Sequence, residues 1–334
     1  MTYLCPVIQA MKSTIFAINN EQEFNEAALS VFRFQYENNS IYRQYVDYLN
    51  VKPALVSHYT ETPFIPIELF KSQYIYASSN NPEIEFSSSG TTGMVTSKHP
   101  VADLSWYTQS FRQCFQQFYG SAGDMAILAL LPSYLERDGS SLIYMVNNLI
   151  QQSNHSASGY FLYNHDELYT TLKRLQSSGT KTLLIGVTYA LLDFCDRYHI
   201  YFPELTVMET GGMKGKRKEM IRSELHNILC EAFGVAQIHS EYGMTELLSQ
   251  GYSKGEGLFS TPAWMRVLIR DTNDPLTLIK GGRTGAINVI DLANYYSCSF
   301  IATQDLGKIH ENGSFEILGR FDNSDIRGCN LLVQ

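Results

Sequence analysis

Residues 87–93, Ser-Ser-Ser-Gly-Thr-Thr-Gly, crowd five hydroxyls and two glycines into seven positions, and Lys98 follows five residues later. Glycine lets backbone N–H groups turn toward an anion with no Cβ in the way, and hydroxyls add donors. Ser88, Ser89, Gly90, Thr91, Thr92 and Gly93, with the Lys98 cation, therefore suit a polyphosphate. The same composition also describes an ordinary polar surface loop. It is not the nucleotide-hydrolase pattern, because no Gly-Lys-Ser/Thr follows at the needed spacing, and no intact G-x-G-x-x-G is present for a dinucleotide. A second stretch, Ser240-Glu241-Tyr242-Gly243-Met244-Thr245-Glu246, comes directly after a strand expected over 235–239. In open α/β sheets ligands bind at the carboxyl ends of strands, so Tyr242, Gly243, Thr245 and Glu246 are candidate site residues.

The elements that must position these stretches follow from periodicity. Asn20 with Glu23 has the spacing of a capping box, and Phe24, Ala27, Ala28, Val31 and Phe34 then fall on one helical face. Prolines 63 and 66 keep the connector into the hydroxyl loop extended. Aromatics at 106, 111, 115 and 118 recur near helical spacing, and 125–131 reads as a short, fully buried strand. Strand-like segments at 182–185, 205–208 and 235–239 alternate with helical ones, including one expected over 214–233 that Gly234 would stop. Alternating β and α elements argue for an α/β fold of layered, mainly parallel sheets covered by helices. From about residue 285 the pattern shifts to short strands with tight turns, of which 308–315 is the clearest hairpin, bending at Asn312-Gly313.

We therefore expect four regions: an extension over 1–10, a helical N-terminal region over 11–85, an α/β core over 86–284, and a β-rich subdomain with a tail over 285–334. A chain of 334 residues that is 44% hydrophobic and 17% charged can bury a substantial core. Its net charge of −8 leaves no overall footprint for nucleic acid or an anionic membrane, so an anionic ligand needs local positive groups. The apolar runs at 125–131 and 183–192 fall short of the roughly 20 residues a membrane helix needs, and no membrane span is expected. The N-terminus lacks the features of a secretory signal, and none of the six cysteines forms a C-x-x-C pair. The expected setting is a reducing cytoplasm.

Ser-Gly-Thr-Thr-Gly at 89–93, Tyr-Gly-Met-Thr-Glu at 242–246, Asp305-Leu306-Gly307 and Gly319-Arg320-Phe321-Asp322 occur in that order along the chain. Together they resemble the adenylate-forming superfamily of acyl-CoA synthetases, peptide-synthetase adenylation domains and luciferases. The resemblance implies that Tyr242 stacks on adenine, Thr245 bonds the α-phosphate and Glu246 holds Mg2+ together with the phosphates of ATP. It also implies that Asp305 accepts the ribose hydroxyls, that Arg320 reaches ribose or phosphate, and that Gly211 and Gly212 lie against the adenine plane. The implied reaction joins a carboxylic acid to ATP, giving an acyl-adenylate and pyrophosphate. The carboxylate is already ionised, so the task is charge neutralisation by Mg2+, Lys98, Arg320 and the loop donors, with no general base.

Classical members continue into a small mobile domain, whereas this sequence runs fourteen residues past Arg320, and we expect that domain to be lacking. Residues 323–328, Asn-Ser-Asp-Ile-Arg-Gly, also stand where relatives carry a hinge with a lysine. A short chain of this kind looks most like the acyl-protein synthetases of the LuxE type, from the bacterial luminescence fatty acid reductase. Residues 32–39, 63–70, 132–137 and 247–250 add to that likeness. In that type an acceptor cysteine lies near the C-terminus, and Cys329 stands five residues from the end of this sequence. Arg327 beside it would favour the thiolate, although a free cysteine also packs well in a last strand.

The resemblance implies an acyl-protein synthetase acting on a fatty acid or another hydrophobic carboxylic acid, with a reductase or acyltransferase as partner. Two alternatives stay open: an acyl-CoA ligase for fatty or aryl acids that uses free CoA, and a non-catalytic nucleotide-binding subunit of such a complex.

Overall fold

The apolar stripe of residues 21–38 winds a helix whose buried face reaches into the core. The computed structural model describes residues 6–88, 95–132, 139–213, 216–218, 220–280 and 282–320. The chain divides into two compact units, one built from residues 1–79 with 263–334 and the other from residues 80–262. The first unit thus takes up both the N-terminal helical region and the β-rich part expected after 285.

The first unit opens with α1 (Pro6–Phe16), α2 (Glu21–Asn38), α3 (Ser40–Tyr48), β1 (Ile65–Pro66) and the short α4 (Leu69–Ser72). Residues 6–10, within the expected extension, form the start of α1. Asn20 caps α2 by accepting a hydrogen bond from the Glu23 N–H at 2.9 Å. The returning bond of the box comes from the Asn19 N–H, which donates to Glu23 at 2.8 Å. Phe24, Ala27, Ala28 and Val31 are buried as expected, while Phe34 is half-buried and stacks on Tyr295 at 4.1 Å.

The second unit begins with β2 (Ile84–Ser87) and β3 (Lys98–Val101), which form a separate antiparallel pair. There follow α5 (Leu104–Tyr119), β4 (Ala126–Leu130), α6 (Ser141–Ser153), β5 (Gly159–Tyr160), α7 (His165–Ser177), β6 (Thr182–Val187), α8 (Thr188–Cys195), β7 (Thr206–Thr210), α9 (Arg222–Phe233), β8 (His239–Tyr242), β9 (Gly251–Ser253) and β10 (Leu258–Ser260). Within this unit the strand order is β10-β9-β8-β7-β6-β4-β5. The strands from β8 to β5 pair in parallel, and β9 and β10 add an antiparallel margin. Every residue of β4 and β6 is buried, as parallel strands covered on both faces require. Gly186 in β6 lets α8 close over the sheet, since a Cβ there would stand 2.6 Å from Leu191 Cδ2.

Two expected boundaries move. The helix expected from 214 begins at Arg222, and the strand expected over 235–239 runs from His239 to Tyr242, so that Ser240, Glu241 and Tyr242 are part of the strand itself.

The chain then returns to the first unit as β11 (Met265–Arg270), β12 (Gly285–Asp291), β13 (Phe300–Ile309) and β14 (Phe315–Arg320), an antiparallel series. The bend between β13 and β14 is the expected Asn312-Gly313 turn, with Gly313 at φ 82°. Cys298 lies in the connection between β12 and β13, fully buried.

Gln35 ties the helices of this unit to that same connection. Its buried amide donates to the carbonyls of Asn294 and Tyr295 at 2.8 and 3.0 Å and to the Ser299 hydroxyl at 3.1 Å. Its carbonyl accepts from the Ser299 N–H at 2.9 Å. Asn39 repeats the device, donating to the Ser297 carbonyl at 3.1 Å while its carbonyl caps α3. Removing one partner of a buried hydrogen bond leaves the other desolvated and unmade. Gln35→Leu should therefore cost on the order of 3 kcal/mol in urea unfolding, and a loss under about 1 kcal/mol would contradict the role given to Gln35.

Candidate functional site

In the second unit the hydroxyl-rich stretch closes the β2–β3 hairpin, in which Ser87 faces Lys98 and Phe86 faces His99. The neck is tied twice: the Ser88 N–H donates to the Ser97 carbonyl at 3.0 Å, and the Ser97 N–H donates to the Ser88 hydroxyl at 2.8 Å. Ser88 therefore anchors the loop. Ser89, Gly90, Thr91, Thr92 and Gly93 lie outside the described residues. Lys98 is exposed on the stem, with Nζ 3.2 Å from Glu85 Oε1.

Strand alternation turns the next side chain inward. His99 is fully buried, and its Nδ1 lies 2.7 Å from the backbone carbonyl of Thr245. Burial pushes the imidazole pKa down to about 4, against the opposing pull of that bond. The ring is accordingly neutral near pH 7, and a carbonyl acceptor places its proton on Nδ1.

The Tyr-Gly-Met-Thr-Glu stretch leaves the carboxyl end of β8. Glu209 on β7 pairs in register with Ser240, so Gly211-Gly212 and Tyr242-Gly243 leave adjacent parallel strands side by side. Gly211 and Gly212 take φ of 73° and 65°, which a side chain would disfavour. Tyr242 is half-buried, its ring 6.1 Å from Phe259; Thr245 is half-buried and Glu246 is buried. Beyond Glu246 the chain is held to α5 by the Ser110–Ser249 hydroxyl pair at 2.9 Å and by the Cys114 thiol, which donates to the Gln250 carbonyl at 3.4 Å.

Two further carboxylates lie beneath this turn. Burial pushes Glu241 up to about 7, helped by the charge of Glu209 and opposed by the Thr210 hydroxyl, which donates to it at 2.6 Å. Burial also acts on Glu209, but His226, Ser240 and Arg222 around it prevail and hold its carboxyl below the usual range. His226 and Arg222 approach Glu209 to 3.7 and 4.0 Å.

In the first unit Asp305 on β13 stands opposite Arg320 on β14. Arg320 is exposed and donates to the Gln304 side chain at 3.0 Å; Gln304 in turn donates to Glu68 at 2.7 Å. Beneath them the buried Arg270 donates to the carbonyls of Ile287 and Thr303 at 2.5 and 2.6 Å and to the Asn288 side chain at 2.8 Å. Burial lowers its pKa to about 10, while Glu68, Tyr45 and Asp305 pull the other way. Cys329 and residues 321–328 lie outside the described residues.

The structure therefore gathers Ser88, Gly211, Gly212, Tyr242, Gly243, Thr245 and Glu246 in one unit, with Lys98 on the outer face of its hairpin, and places Asp305 with Arg320 in the other. His99, Glu241 and Arg270 were not among the candidates. His99 carried a sequence signal in its position next to Lys98, and Glu241 in its place within the 240–246 stretch.

This architecture has known counterparts. The 2-hydroxyisobutyryl-CoA ligase in the postadenylation state aligns over 92% of this chain and 70% of its own, with a TM-score of 0.63 at 12% identity. ATP-bound MatB from Rhodopseudomonas palustris aligns over 71% of this chain and 47% of its own, with a TM-score of 0.55 at 18% identity. A long-chain-fatty-acid-CoA ligase from Archaeoglobus fulgidus aligns over 71% and 51%, with a TM-score of 0.50 at 14% identity. The first structures matched are thus about twice as long as the span they share with this chain, 47% of their length being covered. The fold is that of the adenylate-forming ligases. A search of curated proteins found no match. The family model of the LuxE acyl-protein synthetases matches residues 10–334, and the chain belongs to that family.

Glu241 gives a pH signature. Its pKa is raised on folding from 4.5 to about 7, so its favourable contribution is present below the unfolded value and is lost as pH rises through the folded one. The advantage in melting temperature of Glu241→Gln over wild type should widen between about pH 5 and about pH 8. A constant difference across that range would contradict the shift.

Proposed function

We propose that this chain activates a carboxylic acid with ATP and then carries the acyl group on its own Cys329. A carboxylate oxygen attacks the α-phosphorus, the bond to the β-phosphate oxygen breaks, and pyrophosphate leaves. The Cys329 thiolate then attacks the acyl carbon of the mixed anhydride and AMP departs, the thiol proton having gone to solvent. The observation that carries this proposal is the family match over residues 10–334, which includes Cys329 as well as both ATP-facing stretches.

The geometry supports the first step. The β2–β3 hairpin and the Thr245–Glu246 turn belong to one unit and are joined through His99. Donors fixed before the reaction stabilise developing charge without reorganising. Tyr242 and the Gly211-Gly212 backbone would flank adenine, Thr245 would bond the α-phosphate, and Asp305 and Arg320 would serve ribose and phosphate. Among the described residues no group of three or more His, Cys, Asp and Glu side chains is arranged to hold a metal. A Mg2+ at Glu246 would therefore draw its remaining oxygens from the triphosphate and water, as this ion commonly does.

Among the described residues no helix is long and apolar enough to cross a membrane. Cys114, Cys195, Cys230 and Cys298 are free thiols, consistent with action in the cytoplasm. The acid would be fatty or otherwise hydrophobic, and a reductase or acyltransferase would accept the acyl group. A second reading, transfer to free CoA, is favoured by the solved structures that match, several of which are CoA ligases.

Intact mass after incubation with ATP, Mg2+ and a panel of fatty and aryl acids should show an acyl adduct that Cys329→Ser abolishes. Unchanged labelling in that variant, or acyl-CoA formation with no protein adduct, would contradict the cysteine acceptor. Glu246→Gln should lower adenylate formation on the order of a hundredfold, and unchanged turnover would contradict the role given to Glu246.

A further inference from the structure

The hairpin that presents the hydroxyl loop forms its own two-stranded sheet, apart from the strands that carry the Tyr-Gly-Met-Thr-Glu turn. Among the described residues no ladder therefore sets the distance between hairpin and turn; side chains and connections must. One connection is on the hairpin stem, where the Ser87 N–H donates to the Gly139 carbonyl at 2.9 Å. A bond that reaches the turn itself comes from His99, fully buried on β3, one residue past Lys98 and two past Ser97 at the hairpin neck. Its Nδ1 donates to the Thr245 carbonyl at 2.7 Å. The far end of the turn is held separately, by Ser110 on Ser249 and Cys114 on Gln250.

We infer that His99 is a positioning residue that fixes the Thr245–Glu246 turn to the β2–β3 hairpin, so that turn and hairpin keep their spacing while ATP binds and pyrophosphate leaves. The inference rests on the adenylate-forming function proposed above. The imidazole touches neither substrate nor metal in this role. It supplies a short, planar donor from a strand whose other face is committed to the Lys98–Glu85 pair. An aliphatic residue would fill the same buried space and leave the Thr245 carbonyl without this donor. Asparagine places an amide N–H near the position of Nδ1 and would keep the bond.

Hydrogen exchange on His99→Leu and His99→Asn tests the tether without any substrate. In His99→Leu, amides across 243–250 should exchange about tenfold faster than in wild type, with those of β4 and β6 unchanged; His99→Asn should remain close to wild type. Should His99→Leu fail to fold, His99→Gln, whose amide lies one bond farther from the backbone, takes its place. In carboxylate-dependent pyrophosphate exchange, His99→Leu should lower kcat about tenfold or more with a smaller change in KM for ATP, and His99→Asn should recover most of the loss. Wild-type protection at 243–250 in His99→Leu, or equal damage in both variants, would overturn the inference. A wild-type protein that exchanges pyrophosphate with no acid would count against the proposed function instead, and the amide measurement would still decide the role of His99.

Discussion

The hydrogen bond from the buried His99 imidazole to the Thr245 carbonyl joins the β2–β3 hairpin to the turn after β8, and the proposed nucleotide site depends on it. The β2–β3 hairpin shares no ladder with the main sheet. What places the hairpin is the inward ring one strand residue beyond Lys98, next to the neck tied at Ser88 and Ser97. Burial keeps that ring neutral, so the joint adds no charge beside the proposed phosphate site.

The other unit is held by a related device of buried polar side chains whose hydrogen bonds go largely to the backbone. Gln35 and Asn39 bind α2 and α3 to the connection between β12 and β13, and Arg270 binds the carbonyls of β12 and β13 beneath Asp305. Such groups are costly to bury unless satisfied, and each fixes a register that apolar packing alone would leave loose. Within residues 32–39 Gln35 and Asn39 are the polar hooks, and the connection between β12 and β13 supplies the carbonyls.

Much of this was legible from residue patterns. The Asn312-Gly313 bend, the helix at 104–119 with Trp106, Phe111 and Phe115 inside, and the alternation that builds the parallel sheet all followed from periodicity and turn chemistry. The family was legible too, because four short motifs occur in a fixed order. What stayed hidden depends on contacts distant in sequence. Nothing local in His99 tells that its partner lies 146 residues away, and nothing in Gln35 tells that it meets Ser299. Glu241 stands among motif residues, yet its raised pKa needs the neighbouring strand's Glu209 and the burial that only the packed sheet provides. The strand before Tyr242 was expected four residues too early, since Val235 and Ile238 are buried without being in a strand.

On the proposed function, the chain's net charge of −8 makes the chemistry demanding, because a carboxylate and a triphosphate would meet on an acidic protein. Local donors and Mg2+ would then have to neutralise what the whole surface repels. The measurement that bears most directly on this account is carboxylate-dependent exchange of labelled pyrophosphate into ATP with the purified chain, scanned over fatty and aryl acids. Exchange that requires both an acid and Mg2+ is the predicted result. Its absence with every acid, from a folded protein that still binds ATP, would contradict the account and leave a nucleotide-binding subunit without adenylating activity.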